Sequence, residues 1–279
     1  MKTYQPVIKW SGSKRPVAKT LSEYFVFGDT YFEPFVGGGA MMPYAKCNKG
    51  IAGDVIPELI ELWSVIKNDP ILVSDEYEKR WKELQEDGPD VYYRVRDSFN
   101  ETRNCCDFLF ITRTCVNGMI RFNDAGDFNN SFHLSRPGIN PDTLRKIIFE
   151  WSDCISKFEF LNSDYRETLE QVKKNDFVFL DPPYGGTKDR YLKSSFDLKS
   201  FYEELDRLNS IGARWMLTFD GSAGSREYSY APPEDLYKKK FLINTGKSSF
   251  TKVMNSKNDN VQESVYLNFD PVESSCCLI

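Results

Sequence analysis

The chain is poor in metal-binding residues and in cysteines spaced for zinc. Its 279 residues include one histidine, His133, and seven cysteines, none of them in a Cys-x-x-Cys pair. A structural zinc site needs four such ligands, so we expect no bound metal and interpret His133 as a solvated or packed loop residue. Adjacent cysteines occur at 105–106 and 276–277, an arrangement that does not fit a secreted disulfide framework in a chain this long. We therefore expect reduced thiols.

Long hydrophobic runs are absent as well. No apolar stretch approaches the length that spans a membrane, and the first six residues lack the apolar core of a secretory signal. We therefore expect a cytosolic protein without a membrane partner. The last four residues, 276–279, formally match a prenylation tail, but isoleucine is not the usual final residue and we interpret them as a frayed terminus.

An excess of positive charge, the usual footprint of nucleic-acid binding, is also missing. The chain has 36 lysines and arginines against 41 aspartates and glutamates, which gives a net charge of -5. This average argues against a nucleic-acid partner, but the distribution leaves room for a basic face. Cations such as Lys9, Arg94 and Arg121 lie in the first half of the chain, whereas acidic residues cluster in segments such as Asp75 to Asp87.

Two phosphate-binding patterns are absent too. The run Gly37-Gly38-Gly39 follows a predicted strand over 31–36, but no Gly-Lys-Ser/Thr follows it, and the chain has no Gly-x-Gly-x-x-Gly. These absences disfavour a P-loop and a nicotinamide dehydrogenase. The glycines still allow a ligand to approach the backbone closely, and a nucleoside without a pyrophosphate fits the turn better.

The most informative motif that is present is Asp181-Pro182-Pro183-Tyr184, directly after the apolar run Phe177–Leu180. The run predicts a buried strand, so the motif occupies the carboxyl edge of a parallel sheet, where such sheets bind ligands. The prolines remove two backbone donors, which leaves carbonyl oxygens and one carboxylate as acceptors, beside an aromatic ring. These groups suit a planar amine, because acceptors for both of its hydrogens favour the pyramidal, reactive form.

Three aspartates follow three different predicted strands. They are Asp54, Asp164 and Asp181, and each alone is more often a helix cap or turn residue. Together with the glycine turn they indicate one site at the sheet edge, and an acidic residue after the second strand suits a ribose hydroxyl. Near the start of the chain, Trp10 lies in a second glycine turn flanked by lysines, for which a site and a simple helix lead-in are equally good interpretations.

Outside one segment, strands and helices alternate in the order of an α/β fold. Strands are predicted over 31–36, 51–53, 158–161, 177–180, 214–219, 240–244 and 264–269, and helices over 17–24, 40–46, 58–67, 142–156, 165–173 and 200–210. Between residues 68 and 140 the pattern changes to helices over 75–85, 91–99 and 107–115 and a polar stretch over 117–136. Long polar loops inside a compact chain are usually functional or disordered.

Five segments carry a resemblance to a known family. They are 9–14 (Lys-Trp-Ser-Gly-Ser-Lys), 32–39 (Phe-Glu-Pro-Phe-Val-Gly-Gly-Gly), 92–100, 113–123 and 181–184, and their order is similar to that in Dam-like DNA adenine N6-methyltransferases. The resemblance spans roughly the whole chain. It implies a mixed seven-stranded, Rossmann-like methyltransferase sheet flanked by helices. It also implies a catalytic domain over 1–67 and 141–279, with 68–140 as a helical target-recognition domain.

The reaction is implied by the same resemblance. Such an enzyme transfers a methyl group from S-adenosylmethionine to N6 of an adenine that is flipped out of a specific short sequence in double-stranded DNA. We accordingly expect S-adenosylmethionine as cofactor, double-stranded DNA as partner, and a monomer or weak dimer. Restriction protection, mismatch marking and viral defence all remain open as the biological role.

Carried over position by position, the resemblance implies three groups of site residues. The catalytic group, which would bind the flipped base, is Asp181, Pro182, Pro183 and Tyr184. The donor-binding group is Trp10, Lys14, Glu33, Phe35, Gly37 and Gly39 around the methionine part, Asp54 at the ribose, Asp164 and Tyr165 at the adenine, and Asp181. The DNA-contacting group is Lys9, Arg96, Arg113, Asn117, Met119, Arg121 and Asn123. Arginine suits guanine and asparagine suits adenine in base recognition.

The sequence departs from the family pattern beside the base-reading positions. The usual Pro-Phe-Gly-x-Tyr is replaced by the segment 131–138, and Ile56 stands where the family often has asparagine. The target sequence therefore stays open. Three alternatives are kept: N4 methylation of cytosine, methylation of a protein glutamine or of RNA, and an inactive regulator that binds the donor and DNA. By family resemblance, aspartate before Pro-Pro-Tyr favours adenine over cytosine.

Overall fold

The structure is a computed structural model that describes residues 2–135, 137–183, 196–223, 226–228, 231–247 and 260–271. Tyr184 of the predicted catalytic group and the tail at 276–279 lie outside the described residues. Within the described ranges, helices flank a central β-sheet.

Eight strands in the described part of the chain form one mixed sheet. In chain order they are β1 (Gly28–Glu33), β2 (Cys47–Asp54), β3 (Phe158–Asn162), β4 (Phe177–Leu180), β5 (Arg214–Ala223), β6 (Arg226–Tyr228), β7 (Lys239–Lys247) and β8 (Asn260–Leu267). The path across the sheet is β3-β2-β1-β4-β5-β8-β7, and β6 pairs with β5 beside this path. The first five strands of the path are parallel, whereas β8 is antiparallel to β5 and β7. The predicted seven-stranded mixed sheet is confirmed, with one short strand added.

The helices begin where the sequence supplies start signals. They are α1 (Ala18–Glu23), α2 (Pro57–Asn68), α3 (Pro70–Asp87), α4 (Asp90–Thr102), α5 (Cys105–Thr114), α6 (Pro141–Cys154), α7 (Tyr165–Glu170) and α8 (Leu198–Ile211). Proline opens α2, α3 and α6, where its missing N–H costs no helical hydrogen bond. The side chains of Asn104, Asn140 and Asp164 cap α5, α6 and α7. None of the described helices is long and apolar enough to cross a membrane.

Two predictions around the glycine turn are wrong. The first strand was expected to continue to residue 36, but β1 ends at Glu33 because Pro34 has no N–H for the sheet. The helix expected over 40–46 is only a single 3-10 turn, Met42–Tyr44, after which β2 begins at Cys47. The chain therefore passes from β1 to β2 through the glycine turn without a full helix.

The central strands are buried on both faces because helices cover each side of the sheet. In β4, Phe177 and Phe179 pack into one apolar cluster with α1, α2 and α6, whereas Val178 and Leu180 pack into a second cluster with α7 and α8. All four side chains are buried. This double burial explains why the run before the Asp-Pro-Pro segment is continuously apolar, and it fixes the end of β4 in the middle of the sheet edge.

The inserted helices α3 to α5 extend the first apolar cluster. Their buried side chains belong to the same cluster as those of α2 and α6. A buried polar link joins the three helices, since Asp107 of α5 accepts from Arg80 Nε of α3 at 2.7 Å and from Ser98 Oγ of α4 at 2.8 Å. The assignment of 68–140 to a separate recognition domain remains a prediction.

Candidate active site

The predicted site lies at the edge where the parallel strands end. Asp54 ends β2, Asp164 follows β3, and Asp181 follows β4. Asp54 pairs in register with Asn162 at the end of β3, and the Ser163 N–H donates to the Asp54 carbonyl at 3.2 Å. Because neighbouring parallel strands end on the same side of a sheet, their loops lie next to one another.

Asp54 holds the glycine turn against the end of β2. The N–H of Gly37 donates to one carboxylate oxygen at 3.0 Å, and the N–H of Ile56 donates to the other at 3.2 Å. The turn is fixed further by the Val36 N–H, which donates to the Gly53 carbonyl at 2.9 Å. A carboxylate oxygen can accept more than one hydrogen bond, so Asp54 retains the capacity to bind a hydroxyl donor.

The glycine turn lies in close contact with Trp10. An added Cβ would be 2.6 Å from Trp10 Nε1 at Gly37 and 2.8 Å from Trp10 Cβ at Gly38. Gly37 and Gly39 also have left-handed φ angles of 45° and 68°, which favour glycine. Trp63 also fixes the turn, because its indole N–H donates to the Gly37 carbonyl at 3.1 Å. The glycines are therefore needed both for backbone conformation and for the approach of Trp10.

Asp181 belongs to a largely buried ionic cluster. Lys14 Nζ lies 2.8 Å from Asp181 Oδ1 and 2.7 Å from Glu263 Oε1. Thr218 Oγ1 also donates to Asp181 Oδ1, at 3.0 Å. Burial raises the pKa of the Asp181 carboxyl to about 6, the Lys14 ammonium opposes this rise, and the Glu263 carboxylate adds to it. At pH 7 Asp181 is mainly ionised, so it is an acceptor.

Two members of this cluster, Thr218 and Glu263, were missed by the sequence analysis. The register Leu180↔Leu217 between β4 and β5 brings Thr218 beside the start of the Asp-Pro-Pro segment. Glu263 immediately precedes the segment that was predicted as the last strand. An acidic residue among strand-forming apolar residues was the available signal, because a buried carboxylate needs a partner.

A second buried carboxyl, Glu33, lies at the end of β1. Tyr31 donates its hydroxyl to Glu33 Oε2 at 2.8 Å. Burial raises the pKa of Glu33 to about 8 against the Tyr31 hydrogen bond, and the charge of Asp181 adds to the rise. Glu33 is thus protonated at pH 7. Among the described residues, no group of three or more His, Cys, Asp and Glu side chains is arranged to hold a metal ion.

Aromatic rings line the edge between β1 and α7. Phe35 stacks on Tyr165, with ring centroids 5.3 Å apart and an interplanar angle of 28°, and Phe196 lies 5.7 Å from Tyr165. Asp164 accepts from the N–H of Arg166 at 3.0 Å, which caps α7, and from Arg166 Nε at 2.7 Å. Burial raises the pKa of Tyr165 to about 12, so its phenol is neutral at pH 7. In such an arrangement the flat rings can stack on a purine, and the Asp164 carboxylate can accept a hydrogen bond from the purine amine.

Arg121 and Asn123, two of the predicted DNA-contacting residues, lie on the turn formed by residues 121–129. The ends of the turn are joined, since the Asn129 N–H donates to the Arg121 carbonyl at 3.0 Å and Arg121 Nε donates to Asn129 Oδ1 at 2.7 Å. At its tip, Asn123 Oδ1 accepts from the Asp127 N–H at 2.8 Å. Arg121 and Asn123 are both exposed. The turn therefore presents a cation and an amide on an internally braced support.

The N-terminal segment reaches the same region through Lys9. An added Cβ at Gly118 would lie 2.5 Å from Lys9 Cδ, so the lysine side chain packs directly on this glycine. On either side are Asn117, with a left-handed φ of 58°, and Met119, whose carbonyl accepts from Asn130 Nδ2 at 2.8 Å. The structure thus brings together Lys9, Asn117 and Met119, three of the predicted DNA-contacting residues.

The other two predicted DNA-contacting arginines also have protein partners. Arg96 Nη2 lies 3.0 Å from Asp97 Oδ1, and its side chain is partly exposed. Arg113 is only 5% exposed and donates from Nε to the Val7 carbonyl at 2.6 Å and from Nη2 to the Pro6 carbonyl. Burial lowers the pKa of Arg113 to about 10. In this structure Arg113 holds the N-terminal segment on α5 and is not at a surface that DNA can reach.

This architecture defines a class of enzyme. A mixed sheet of this order, with a glycine turn after β1 and Asp-Pro-Pro after β4, is that of a Rossmann-like methyltransferase. The chain belongs to the D12 class N6 adenine-specific DNA methyltransferases, a family that it matches over residues 10–241. The matched region includes the glycine turn, the insertion and Asp181. The family resemblance predicted from the sequence is confirmed, and the chain is an adenine-specific DNA methyltransferase by family.

The chain is also similar to individual proteins that are named as methyltransferases or methylases. The chain is 30% identical over 247 residues to the type II methyltransferase M.MjaIII of Methanocaldococcus jannaschii, which covers 77% of this chain and 83% of that protein. It is 28% identical over 191 residues to the DNA adenine methylase of Salmonella typhi, covering 66% of each. It is 27% identical over 236 residues to the DNA N-6-adenine-methyltransferase of Escherichia phage P1, covering 79% of this chain and 30% of that protein. A solved putative rRNA-methylase from Clostridium thermocellum, at a TM-score of 0.37 and 7% identity over 93% of this chain and 100% of that chain, is too distant to support an argument.

Proposed function

We propose that the chain transfers a methyl group from S-adenosylmethionine to N6 of an adenine that is flipped out of a specific short sequence in double-stranded DNA. The observation that carries this proposal is the environment of Asp181. Lys14 and Thr218 both donate to Oδ1 of its carboxylate, and within the described residues Oδ2 accepts no hydrogen bond. An ionised acceptor at the end of β4, followed by a proline without an N–H, suits the amine of an adenine base.

The residues at the sheet edge fit the donor. S-adenosylmethionine, when bound, supplies a methyl group on a positively charged sulfur. Asp54 fixes the Gly37–Gly39 turn through two backbone N–H groups, and its carboxylate oxygens can also accept from ribose hydroxyls. Trp10 packs on the turn, and the stacked rings of Phe35 and Tyr165 offer a flat surface for the adenine of the donor. The remaining predicted donor contacts, Lys14, Glu33, Gly39, Asp164 and Asp181, lie around the same strand ends.

In the proposed reaction, Asp181 and the Pro182 carbonyl each accept a hydrogen bond from one N–H of the target amine. This withdraws the nitrogen lone pair from the ring and favours in-line attack on the methyl carbon. As the N–C bond forms, the bond between the methyl carbon and the donor sulfur would break, and its electron pair would leave on a neutral thioether. The nitrogen would become cationic, and the nearby Asp181 carboxylate would stabilise that charge. The methylated amine is then acidic, so a carboxylate with a pKa of about 6 can take its proton after transfer. Pro183 restricts the backbone, and Tyr184, outside the described residues, would stack on the base.

For DNA recognition we propose the exposed and partly exposed members of the predicted DNA-contacting group. They are Lys9, Arg96, Asn117, Met119, Arg121 and Asn123. Arg113 is left out of the proposed set because its guanidinium is buried against backbone carbonyls. Arg121 and Asn123 carry the donors and acceptors that read base edges, and their braced turn limits the entropy lost on binding. Which bases they read is left to experiment.

The test is transfer of labelled methyl from S-adenosylmethionine to double-stranded DNA by wild-type protein and by Asp181→Ala. We expect turnover to fall by about a hundredfold or more, because the acceptor that aligns the amine and receives its proton is lost. Glu159→Ala is the control, because Glu159 lies on β3, outside the proposed catalytic, donor-binding and DNA-contacting residues, and its side chain is 57% exposed. Near-native turnover of Asp181→Ala, with labelled DNA in both, would refute the role of Asp181. Absence of labelled DNA from the wild type would refute the function.

A further inference from the structure

Glu263 on β8 is a buried carboxylate to which no role has been assigned so far. Its side chain is 3% exposed, and Oε1 lies 2.7 Å from Lys14 Nζ. The same ammonium reaches Asp181 Oδ1 at 2.8 Å, and the Lys14 side chain is 7% exposed. Placing a second carboxylate on an ammonium that already has one is costly in free energy in a buried site. Lys14 therefore interacts with two carboxylates, Asp181 and Glu263, and does not serve only to neutralise Asp181.

The geometry shows what this sharing does to Asp181. An ammonium has three donors and can serve both carboxylates, but its charge is then divided between them. Among the described residues, four groups interact with Asp181: Lys14 from the N-terminal segment and Thr218 from β5 by contact, and Glu263 from β8 and Glu33 from β1 through their charge. Glu33 is protonated below its pKa of about 8, so near neutral pH the charges that act on Asp181 from this set are those of Lys14 and Glu263.

We propose that Glu263 is a positioning residue for methyl transfer, which holds the Lys14 ammonium between β8 and Asp181 so that Asp181 stays a strong acceptor for the target amine. The proposal rests on the proposed function of Asp181. Without the charge of Glu263, the whole ammonium charge would act on Asp181, stabilise its anion and weaken it as a proton acceptor. The direction agrees with the effect of Glu263 on Asp181, whose pKa it raises.

The test is the pH profile of turnover in Glu263→Gln, which keeps an oxygen acceptor for Lys14 and removes only the charge. Wild-type turnover is expected to rise with pH through a midpoint near the Asp181 pKa of about 6. In Glu263→Gln we expect this midpoint to fall by about one pH unit and the plateau by about tenfold, because the acceptor is less basic. Glu263→Asp keeps the charge but draws it back from Lys14, so its midpoint should lie between the two.

A direct titration separates this inference from the function itself. The carboxyl carbon of Asp181, labelled with carbon-13 and assigned by its absence in Asp181→Asn, is followed with pH in wild type, Glu263→Gln and Glu159→Gln. Glu159 is the matched control, since it pairs with Lys49 and its side chain is 57% exposed. A lower midpoint in Glu263→Gln alone, in both titration and turnover, supports the proposal. Unchanged midpoints beside active wild-type enzyme overturn it, even if turnover falls, because a purely structural loss does not move a titration. Wild-type protein that methylates no DNA overturns the proposed function instead.

Discussion

Substitution of Glu33 by glutamine should remove a loss of folding stability that occurs in the wild type as pH rises. Glu33 is buried at the end of β1, where its carboxyl accepts from the Tyr31 hydroxyl. Burial raises its pKa from 4.5 to about 8, assisted by the charge of Asp181. Between these two pH values the folded protein holds a proton that the unfolded chain releases. The free energy of unfolding must therefore decrease as pH rises through this range.

The magnitude follows from the two pKa values. From 4.5 to about 8, at about 1.4 kcal/mol per pH unit, the contribution of Glu33 changes by at most about 5 kcal/mol. Glutamine has nearly the same shape, can still accept from Tyr31 and does not titrate. We therefore expect Glu33→Gln to gain stability relative to wild type as pH rises from 5 to 8. Most of the gain should accumulate before pH 8, where the wild-type carboxyl is half ionised.

The assay is urea denaturation of both proteins at pH 5, 6.5 and 8, with the difference in free energy of unfolding taken at each pH. The remaining titrating groups are common to both proteins, so the difference reports the ionisation of Glu33 together with its coupling to Asp181. Glu159→Gln serves as control, because this exposed carboxylate should give a small, nearly constant difference. A difference between Glu33→Gln and wild type that is flat across this range would refute the argument that burial keeps Glu33 protonated.

Two further predictions concern the glycine turn and the inserted helices. Gly37→Ala places a Cβ 2.6 Å from Trp10 Nε1, so calorimetry should show S-adenosylmethionine binding weakened about tenfold or more. Gly126→Ala is the control, because Gly126 also has a positive φ but no heavy atom lies within 4 Å of the added Cβ, and this variant should bind as wild type. Equal binding by both variants would contradict the prediction. Asp107→Ala removes the buried partner of Arg80, so denaturation should show a loss of about 3 kcal/mol. A loss below about 1 kcal/mol would mean that the ion pair does not brace α3 to α5.

The sheet and its edge were predictable because local signals agree with the tertiary structure. Phe177–Leu180 is continuously apolar and is followed by two prolines, so the end of β4 was located to the residue. The glycine turn was found because only glycine tolerates its backbone angles and the approach of Trp10. The 40–46 segment failed because its apolar residues suit a helix, whereas Pro43 and the early start of β2 leave room for one 3-10 turn.

The ionic cluster around Asp181 was not predictable, because it depends on contacts between residues far apart in sequence. Lys14 and Glu263 come from opposite ends of the chain, and their contact follows from the antiparallel pairing of β8 with β5. Arg113 illustrates a signal that was present but not used. Every residue of α5 is buried, and the apolar run around Arg113 indicates a helix covered on all sides. A cation in such a helix has to find protein acceptors, as Arg113 does.

The most direct test of the central claim is to identify the methylated nucleoside. DNA from cells without endogenous DNA methylation, expressing either wild-type protein or Asp181→Ala, is digested to nucleosides and separated by mass spectrometry. The proposed function predicts N6-methyldeoxyadenosine in the first sample and its near absence in the second. N4-methyldeoxycytidine in its place, or equal amounts of N6-methyldeoxyadenosine in both samples, would contradict the account of Asp181 as acceptor for the adenine amine.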